Sequence, residues 1–246
     1  MLKPNHIYNE CCLMGMSKIP DNSIDMVLCD LPYGMTKNKW DTPLDLGVLW
    51  WHYKRIVKPN GAILLFAKTP FDKVLGASNL DMLKYEWIWV KSKATGFLNA
   101  KKMPLQKHEN ILAFYQKPPD YFPQFSVGAP YKAKRNGGQS DNYGVYKGVV
   151  TESDGKRYPT TQLYFPSEKT TIHPTQKPVA LFEYLIKTYT REGDTVLDNC
   201  MGSGTTAVAC LNTGRNFIGF EKDAEYHRLA LERIGAHESG QMSIAL

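Results

Sequence analysis

The 246-residue sequence contains no apolar run long enough to span a membrane, and no signal-peptide pattern is visible near its start. Cys-x-x-Cys pairs are also missing, and the six histidines show no metal-ligand spacing. We therefore expect a cytoplasmic protein with no membrane contact and no bound metal. We also expect buried, reduced thiols at its five cysteines, Cys11, Cys12, Cys29, Cys200 and Cys210.

The chain is long enough for one α/β domain, residues 1–246, with 43% hydrophobic residues to build a core. Its formal net charge of +6 favours a polyanionic partner only weakly. Strands that alternate with helices predict a doubly wound, mostly parallel sheet. Apolar runs predict strands at 24–30, 62–67, 85–91, 109–115, 195–200 and 216–221, and helical patterns occupy 44–57, 179–189 and 224–234.

The first informative motif is Asp-Leu-Pro-Tyr at residues 30–33, directly after an apolar run. The carboxylate of Asp30 accepts hydrogen bonds, Pro32 has a carbonyl but no amide hydrogen, and Tyr33 offers a flat face. Such a set suits a planar, amino-bearing ring such as a nucleobase. An isolated acid in this position is more often a helix N-cap, so the weight of the motif depends on the rest of the chain.

The second motif, at residues 195–206, has the pattern of a buried strand, a Gly-x-Gly turn and a helix that begins near Thr205. Glycines in such a turn let the backbone approach a ligand, and the helix N-terminus presents free amides. The next strand, 216–220, is followed by Glu221. This acid stands about twenty residues after the turn, as does the ribose-binding acid of nucleotide-binding βαβ units.

Taken in order, these motifs resemble those of β-class amino-group DNA methyltransferases, in which the catalytic motif precedes the cofactor motif. Residues 30–33 resemble the family's Asp-Pro-Pro-Tyr, and residues 198–206 resemble Asp-Pro-Phe-x-Gly-Ser-Gly-Thr-Thr. Two further matches are His-Glu-Asn-Ile-Leu-Ala-Phe at 108–114 and His-Pro-Thr-Gln-Lys-Pro at 173–178. The resemblance extends from about residue 7 to 233. It implies a Rossmann-like methyltransferase fold with circularly permuted motif order.

The resemblance also implies a cofactor, S-adenosylmethionine, and a set of site residues. The catalytic residues are expected to be Asp30, Pro32 and Tyr33, with the acid and a backbone carbonyl accepting from the amino group of a flipped base and the ring stacking on it. Thr205 and Thr206 either cap their helix or bond the methionine carboxylate. The expected cofactor-binding set is Asp198, Gly202, Ser203, Gly204, Thr205, Thr206, Glu221, Lys177 and Thr175.

Three departures from the family pattern concern mainly the cofactor pocket. Leu31 stands where the family has its middle proline, and Asn199 and Cys200 replace Pro-Phe after the acid. Near the N-terminus, Cys11 replaces the acid that bonds the cofactor's adenine amino group in the family, so this acceptor is absent or shifted to Glu10. These changes lower the expected cofactor affinity. An alternative therefore stays open, in which the chain is a relic that binds DNA but has a weakened cofactor pocket and no catalytic activity.

Residues 117–171 are rich in proline, glycine and aromatic residues and show little periodicity. A long irregular stretch with many aromatics is typical of a functional insertion, although the rings also suit a small satellite core. We expect an inserted segment that recognises double-stranded DNA. A second lysine-rich stretch surrounds residues 91–107. The expected DNA contacts are Lys91, Lys93, Lys101, Lys102, Lys132, Lys134 and Arg135.

The leading hypothesis is methyl transfer to adenine N6, because the family's cytosine-N4 enzymes more often carry serine at the position of Asp30. Cytosine N4 stays the alternative. A nicotinamide dehydrogenase is disfavoured because the turn lacks the third glycine of Gly-x-Gly-x-x-Gly and leaves residues 30–33 without a role. The sequence leaves open a homodimer, the recognised DNA site and a restriction partner.

Overall fold

The computed structural model describes residues 2–35, 38, 41–142, 144–168 and 176–240. The chain forms two compact units. The larger unit comprises Met1–Phe122 and Thr161–Leu246, and the smaller unit comprises Pro123–Thr160. Among the described residues, no helix is both long enough and apolar enough to cross a membrane.

Strands and helices alternate through most of the larger unit. In chain order, the strands are β1 (His6–Tyr8), β2 (Ile24–Asp30), β3 (Val57–Ala67), β4 (Leu83–Thr95), β5 (Gln106–Phe114), β6 (Ser126–Val127), β7 (Tyr131–Arg135), β8 (Gly138–Ser140), β9 (Gly144–Tyr146), β10 (Val149–Ser153), β11 (Lys156–Arg157), β12 (Gln162–Tyr164), β13 (Thr195–Asp198) and β14 (Asn216–Phe220). The helices are α1 (Cys12–Met16), α2 (Leu46–Ile56), α3 (Phe71–Ala77), α4 (Val179–Tyr189), α5 (Thr205–Thr213) and α6 (Ala224–Glu238), and a short 3-10 helix covers Phe97–Asn99.

The larger unit is built on an eight-stranded sheet in the order β1-β14-β13-β2-β3-β5-β4-β12. Only β5 runs antiparallel to its neighbours, β3 and β4; all other pairs are parallel. The predicted mostly parallel sheet is therefore confirmed. The short edge strands β1 and β12 were missed, because three residues carry no detectable periodicity.

Successive residues of the central strand β2 face opposite sides of the sheet. Met26 and Leu28 pack in a core with residues of α4 and α5, whereas Val27 and Cys29 pack in a second core with residues of α1 and α2. Helices thus cover both faces, which explains why β2 is apolar at four successive positions instead of alternating with polar residues.

The sheet contains a topological switch point between its neighbours β2 and β13. The chain proceeds from β2 through α2 to β3 on one side, and from β13 through α5 to β14 on the other. In open α/β sheets, ligands bind beyond the carboxyl ends of the strands at such a point. The last residues of the two strands, Asp30 and Asp198, therefore lie at the expected place for a ligand site.

The smaller unit consists of three antiparallel pairs, β6–β11, β7–β10 and β8–β9. The smaller unit is more regular than the predicted insertion at 117–171. It is also shorter, because β12 of that segment pairs with β4 in the main sheet. Its rings pair locally: the Phe125 and Tyr158 centroids lie 4.9 Å apart, and the Arg157 guanidinium lies 4.6 Å from the Tyr131 centroid. DNA recognition by this segment stays a prediction.

Candidate active site

A cavity of about 360 Å³ lies at the carboxyl edge where β2, β13 and β14 end. Its volume falls within the range of small-molecule sites, about 300–1,000 Å³. Gly204 and Tyr33 do not line it, and Thr175 lies outside the described residues. The predicted site residues that do line it are Asp30, Pro32, Lys177, Asp198, Gly202, Ser203, Thr205, Thr206 and Glu221.

Asp30, the last residue of β2, is held by two side chains. The Tyr33 hydroxyl donates to its Oδ1 at 2.7 Å, and the Lys177 ammonium donates to its Oδ2 at 2.5 Å. Burial raises the pKa of the Asp30 carboxyl, while the positive charge of Lys177 and the hydrogen bond from Tyr33 oppose that rise. The result is a half-buried acceptor group in a fixed orientation at the rim of the cavity.

The ring of Tyr33 stacks on Phe71, with centroids 5.2 Å apart and planes 26° from parallel. Phe71 is the first residue of α3, which follows β3 in the chain. Sequence analysis did not predict this partner, because the contact depends on β2 and β3 being neighbours in the sheet. Stacking and the hydrogen bond to Asp30 together fix both ends of the tyrosine side chain.

Lys177 links Asp30 to a buried acid, Glu109 of β5. The distance from Lys177 Nζ to Glu109 Oε2 is 3.3 Å, and the other oxygen of Glu109 accepts a hydrogen bond from Lys91 of β4. The ammonium also lies 5.3 Å from the Phe66 ring centroid, within cation–π range. Lys91, Glu109, Lys177 and Asp30 thus form a chain of alternating charge, hereafter the charge chain.

The charge chain keeps its inner members ionised. Burial lowers the pKa of the Lys177 ammonium, but Asp30 and Glu109 outweigh burial and hold that pKa above its usual value. Burial raises the pKa of the Glu109 carboxyl, but Lys177 and Lys91 outweigh burial and hold it below its usual value. Both groups are therefore charged at neutral pH.

Two lysines thus have partners that the sequence did not indicate. Lys177 lines the cavity, but its ammonium bonds Asp30; its predicted contact with a methionine carboxylate stays a prediction. Lys91 was expected to contact phosphate, yet its side chain is only 13% exposed, bonds Glu109 and lies 5.1 Å from the Trp89 ring. Lys91 therefore belongs to the charge chain, because breaking its buried ion pair with Glu109 to reach a phosphate would be costly.

At the end of β13, Asp198 organises the glycine-rich turn. Its Oδ2 accepts from the Thr206 hydroxyl and its Oδ1 accepts from the Cys200 amide at 3.0 Å. Burial raises the pKa of the Asp198 carboxyl to about 6. The N-cap of α5 is Gly204 with φ +79°, and no side chain caps this helix, so the alternative that Thr205 or Thr206 caps it was wrong. Only glycine adopts this left-handed conformation without strain.

Glu221, directly after β14, faces the turn across the cavity. The amide of Gly202 donates to its Oε2 at 2.8 Å and the amide of Asp223 donates to its Oε1 at 2.8 Å. A carboxylate oxygen has two lone pairs, so each oxygen retains capacity for a ligand hydroxyl. Burial raises the pKa of the Glu221 carboxyl, and the two amides oppose that rise.

The departures from the family pattern have local structural roles. Asn199 accepts a hydrogen bond from the buried Tyr53 hydroxyl at 2.5 Å, which fastens the turn to α2. Glu10, Cys11 and Cys200 all line the cavity. Glu10 also pairs with the Lys18 ammonium at 2.5 Å, and its role as the shifted acceptor stays a prediction.

The remaining predicted DNA contacts lie on exposed segments of both units. Lys132 pairs with Glu152 across β7 and β10. The segment after β4 also exposes Phe97 and Leu98, at 77% and 85%. Contact of these cations with DNA stays a prediction. The exposed cations are Lys93, Lys101, Lys102, Lys134 and Arg135.

Comparison with known proteins gives a consistent result. Residues 24–232 match a family model, N6/N4 methyltransferase, described as DNA methylase. The type II methyltransferase M.BglII of Bacillus subtilis is 29% identical, over 93% of this chain and 68% of the relative. The DNA adenine methyltransferase YhdJ of Escherichia coli is 28% identical, over 93% of this chain and 83% of the relative.

Solved structures show the same similarity. The M1.HpyAVI–SAM complex superposes with a TM-score of 0.63 and 27% identity, covering 93% of this chain and 98% of that one. The cytosine-N4-specific PvuII DNA methyltransferase superposes with a TM-score of 0.66, covering 94% and 88% of the two chains. Its identity of 16% shows a shared fold and nothing finer.

Proposed function

Because the chain belongs to the family of N6 and N4 amino-group DNA methyltransferases, we propose that it methylates adenine N6 at a specific sequence in double-stranded DNA. The observation that carries the proposal is the carboxylate of Asp30, which borders the cavity and is held by hydrogen bonds from Lys177 and Tyr33. The aspartate favours adenine, and a relative at 28% identity is a DNA adenine methyltransferase.

S-adenosylmethionine is the cofactor, and when bound it supplies a methyl group carried on a sulfonium. The cavity residues fit such a molecule. An ideal Cβ on Gly202, whose φ is +52°, would meet no atom within 4 Å, so the turn borders open space. Glu221 would accept from the ribose hydroxyls, and Glu10 would accept from the adenine amino group. Acidic groups on this wall also complement a cationic cofactor.

Asp30 acts on the target amino group in this proposal. The N6 lone pair of adenine is delocalised into the ring, so the nitrogen is a poor nucleophile. Acceptance of one N–H bond by Asp30 and of the other by the carbonyl of Leu31 or Pro32 favours a pyramidal nitrogen with a localised lone pair. Positive charge then develops on N6, the carboxylate stabilises it, and Asp30 takes up the proton that N6 loses.

Lys177 holds Asp30 ready for this step. The ammonium bonds Oδ2 of Asp30, one of the two oxygens that the target amine would approach. Glu109, 3.3 Å from the same ammonium, offers a second partner when the amine arrives. Exchange of one buried donor for another costs less than leaving the carboxylate without a donor. Lys177 thus keeps Asp30 ionised until the base is in place.

Tyr33 and Phe71 provide the surface for the flipped base. Extrusion of a base from a duplex costs a few kcal/mol, and aromatic stacking recovers about 1–3 kcal/mol per base. The stacked pair holds the Tyr33 ring in a fixed plane beside Asp30. A rigid platform loses little entropy when a base stacks on it.

The proposal is tested by incubating purified protein with labelled S-adenosylmethionine and unmethylated DNA, RNA or bulk protein in parallel. We expect label in DNA alone, as N6-methyladenine after digestion to nucleosides. Label in N4-methylcytosine would show that the methyl acceptor is cytosine N4, the alternative hypothesis. Cofactor and DNA binding without label in any acceptor would identify a catalytically inactive relic instead.

A further inference from the structure

The antiparallel pairs β7–β10 and β8–β9 of the smaller unit share one register. Arg135 pairs with Val149 at the end of β7–β10, and Ser140 pairs with Gly144 in β8–β9. Five residues forward from Arg135 and five residues back from Val149 lead to that second pair, so no residue is skipped between them. We call residues 131–142 and 144–153 the ribbon, since they follow one two-stranded course.

The ribbon is exposed over most of both of its faces. Every residue from 131 to 139 and from 144 to 152 is exposed, including the apolar Val145, Val149 and Val150. A two-stranded ribbon exposed on both faces is marginally stable in water, and packing against another surface is what stabilises it. The ribbon is therefore suited to a partner that contacts both of its faces.

Charge indicates the chemistry of that partner. The ribbon carries Lys132, Lys134, Arg135 and Lys147, against the acids Asp141 and Glu152. Lys132 and Glu152 neutralise one another across the strands. The remaining cations outnumber the remaining acid, which favours a polyanion and disfavours pairing with a second, equally basic copy of the ribbon.

The shape of the ribbon favours duplex DNA as the polyanion, with the ribbon in one of its two grooves. The major groove, about 12 Å wide, admits a two-stranded β-ribbon as it stands, whereas the minor groove, about 6 Å wide, must first be widened at a cost in deformation energy. The strands approach closely between the two pairs: a Cβ on Gly137 would lie 2.8 Å from the Gly148 amide nitrogen. Glycine at this point keeps the ribbon thin.

Strand alternation assigns side chains to the two faces. Arg135 and Gln139 lie on one face, and Lys132 and Lys134 lie on the other. Arginine bonds guanine O6 and N7 in a bidentate manner, and glutamine bonds adenine N6 and N7 in the same way. Lysines suit phosphate contacts that position the protein without reading sequence.

We propose that the ribbon enters the major groove of the target duplex, where Arg135 and Gln139 contact base edges and Lys134 contacts phosphate. The inference rests on the proposed function and deepens it, since it names the groove and the residues that choose the methylated sequence.

The groove is tested with modified duplexes, once sequencing of methylated DNA has given the recognised site. A 7-deazapurine removes the major-groove N7 acceptor, and inosine in place of guanine removes the minor-groove amino group. Substitution with 7-deazapurine outside the target base should lower kcat/KM by up to roughly 150-fold, because it removes one of the two bonding atoms of a bidentate contact. Inosine should leave kcat/KM unchanged. A loss of kcat/KM with inosine and none with 7-deazapurine would overturn the proposal.

The residues are tested with exposed-site variants whose cofactor affinity is measured alongside as a check of folding. Arg135→Ala and Gln139→Ala should each relax discrimination at one base position. Lys134→Ala should weaken methylation of all sequences alike and reduce the salt dependence of binding. Lys54→Ala, an exposed cation of α2, serves as the charge-matched control.

The outcomes separate this inference from the proposed function. If the wild-type protein methylates its site and Arg135→Ala and Gln139→Ala both methylate it with unchanged selectivity, the ribbon does not read bases and the proposed function stands. If the wild-type protein transfers no methyl group to any DNA, the proposed function is wrong, and the proposed reading of bases by the ribbon is wrong as well.

Discussion

The Lys177 ammonium donates a hydrogen bond to Oδ2 of Asp30 at 2.5 Å, although the two residues lie 147 positions apart in the sequence. The pair joins the strand that carries the catalytic motif to the segment that precedes α4. Because Glu109 lies within 3.3 Å of the same ammonium, the charge on Asp30 depends on three elements of the larger unit. This dependence makes the pH profile of methyl transfer the natural place to test the site.

Removal of Lys177 should shift activity toward higher pH. Asp30 must be ionised to accept from the target amine, and burial already raises its pKa, while Lys177 lowers it. Lys177→Met removes the lowering charge, so the acid limb of the single-turnover rate should move upward. The maximal rate should fall about 10²- to 10³-fold, as when one stabilising donor is lost from an active site.

The measurement for Lys177→Met is the single-turnover rate of methyl transfer from acid to neutral pH. Lys187→Met, at an exposed position of α4, is the matched control and should reproduce the wild-type profile. An unmoved acid limb in Lys177→Met would show that the lysine does not govern the ionisation of Asp30.

Removal of Glu109 should shift the acid limb the other way. The negative charge of Glu109 raises the pKa of Asp30, so Glu109→Gln should move the limb to lower pH. The maximal rate should fall by up to about 10²-fold, because Lys177 loses its second partner and stays on Asp30. The same pH series measures both variants, and limbs that move in the same direction would contradict the charge chain.

Tyr33 should contribute more through its ring than through its hydroxyl. Tyr33→Ala removes the stacking surface, worth about 1–3 kcal/mol, so kcat/KM for duplex DNA should fall roughly 5- to 150-fold. Tyr33→Phe keeps the stack on Phe71 and loses only the hydrogen bond to Asp30, so its loss should be smaller. Steady-state kinetics with saturating cofactor measures both; equal losses would contradict a stacking role.

Glu221 should govern cofactor affinity. Hydrogen bonds to a charged group contribute about 1.5–3 kcal/mol, so Glu221→Gln should raise the cofactor Kd roughly 10- to 150-fold in calorimetric titration. Glu225→Gln provides a control on α6, since that carboxylate is exposed and pairs with Arg228. An unchanged Kd in Glu221→Gln would move the ribose contact to another residue.

The smaller unit should carry site selectivity as a transferable module. Exchange of Pro123–Thr160 for the corresponding residues of a relative with a different site should change the methylated sequence, while cofactor Kd stays the same. Sequencing of methylated plasmid DNA from cells that make the chimera measures the outcome. Retention of the original site would place recognition in the larger unit.

The sequence predicted the parts of the site that follow from local pattern. Asp30, Asp198 and Glu221 each follow an apolar run, and all three lie at the carboxyl ends of neighbouring parallel strands, as that pattern requires. Contacts that depend on strand order were not predictable. Glu109 reaches the site because β5 inserts antiparallel between β3 and β4, which no periodicity indicates.

Sequence analysis did not predict the paired strands of the ribbon, for a different reason. Both of its faces are exposed, so its strands lack the alternation of apolar and polar residues that reveals a half-buried strand. Its pairs are also short, and glycines interrupt them at 137, 138, 144 and 148. The predicted irregular insertion was therefore the natural interpretation of a segment whose described paired strands stay exposed.

The most direct measurement is identification by mass of the methylated nucleoside formed in one turnover of the wild-type protein and of Asp30→Ala on unmethylated duplex DNA. We predict N6-methyldeoxyadenosine with the wild-type protein and none with the variant, at equal cofactor occupancy. N4-methyldeoxycytidine as the product, or undiminished transfer by Asp30→Ala, would contradict adenine methylation at Asp30.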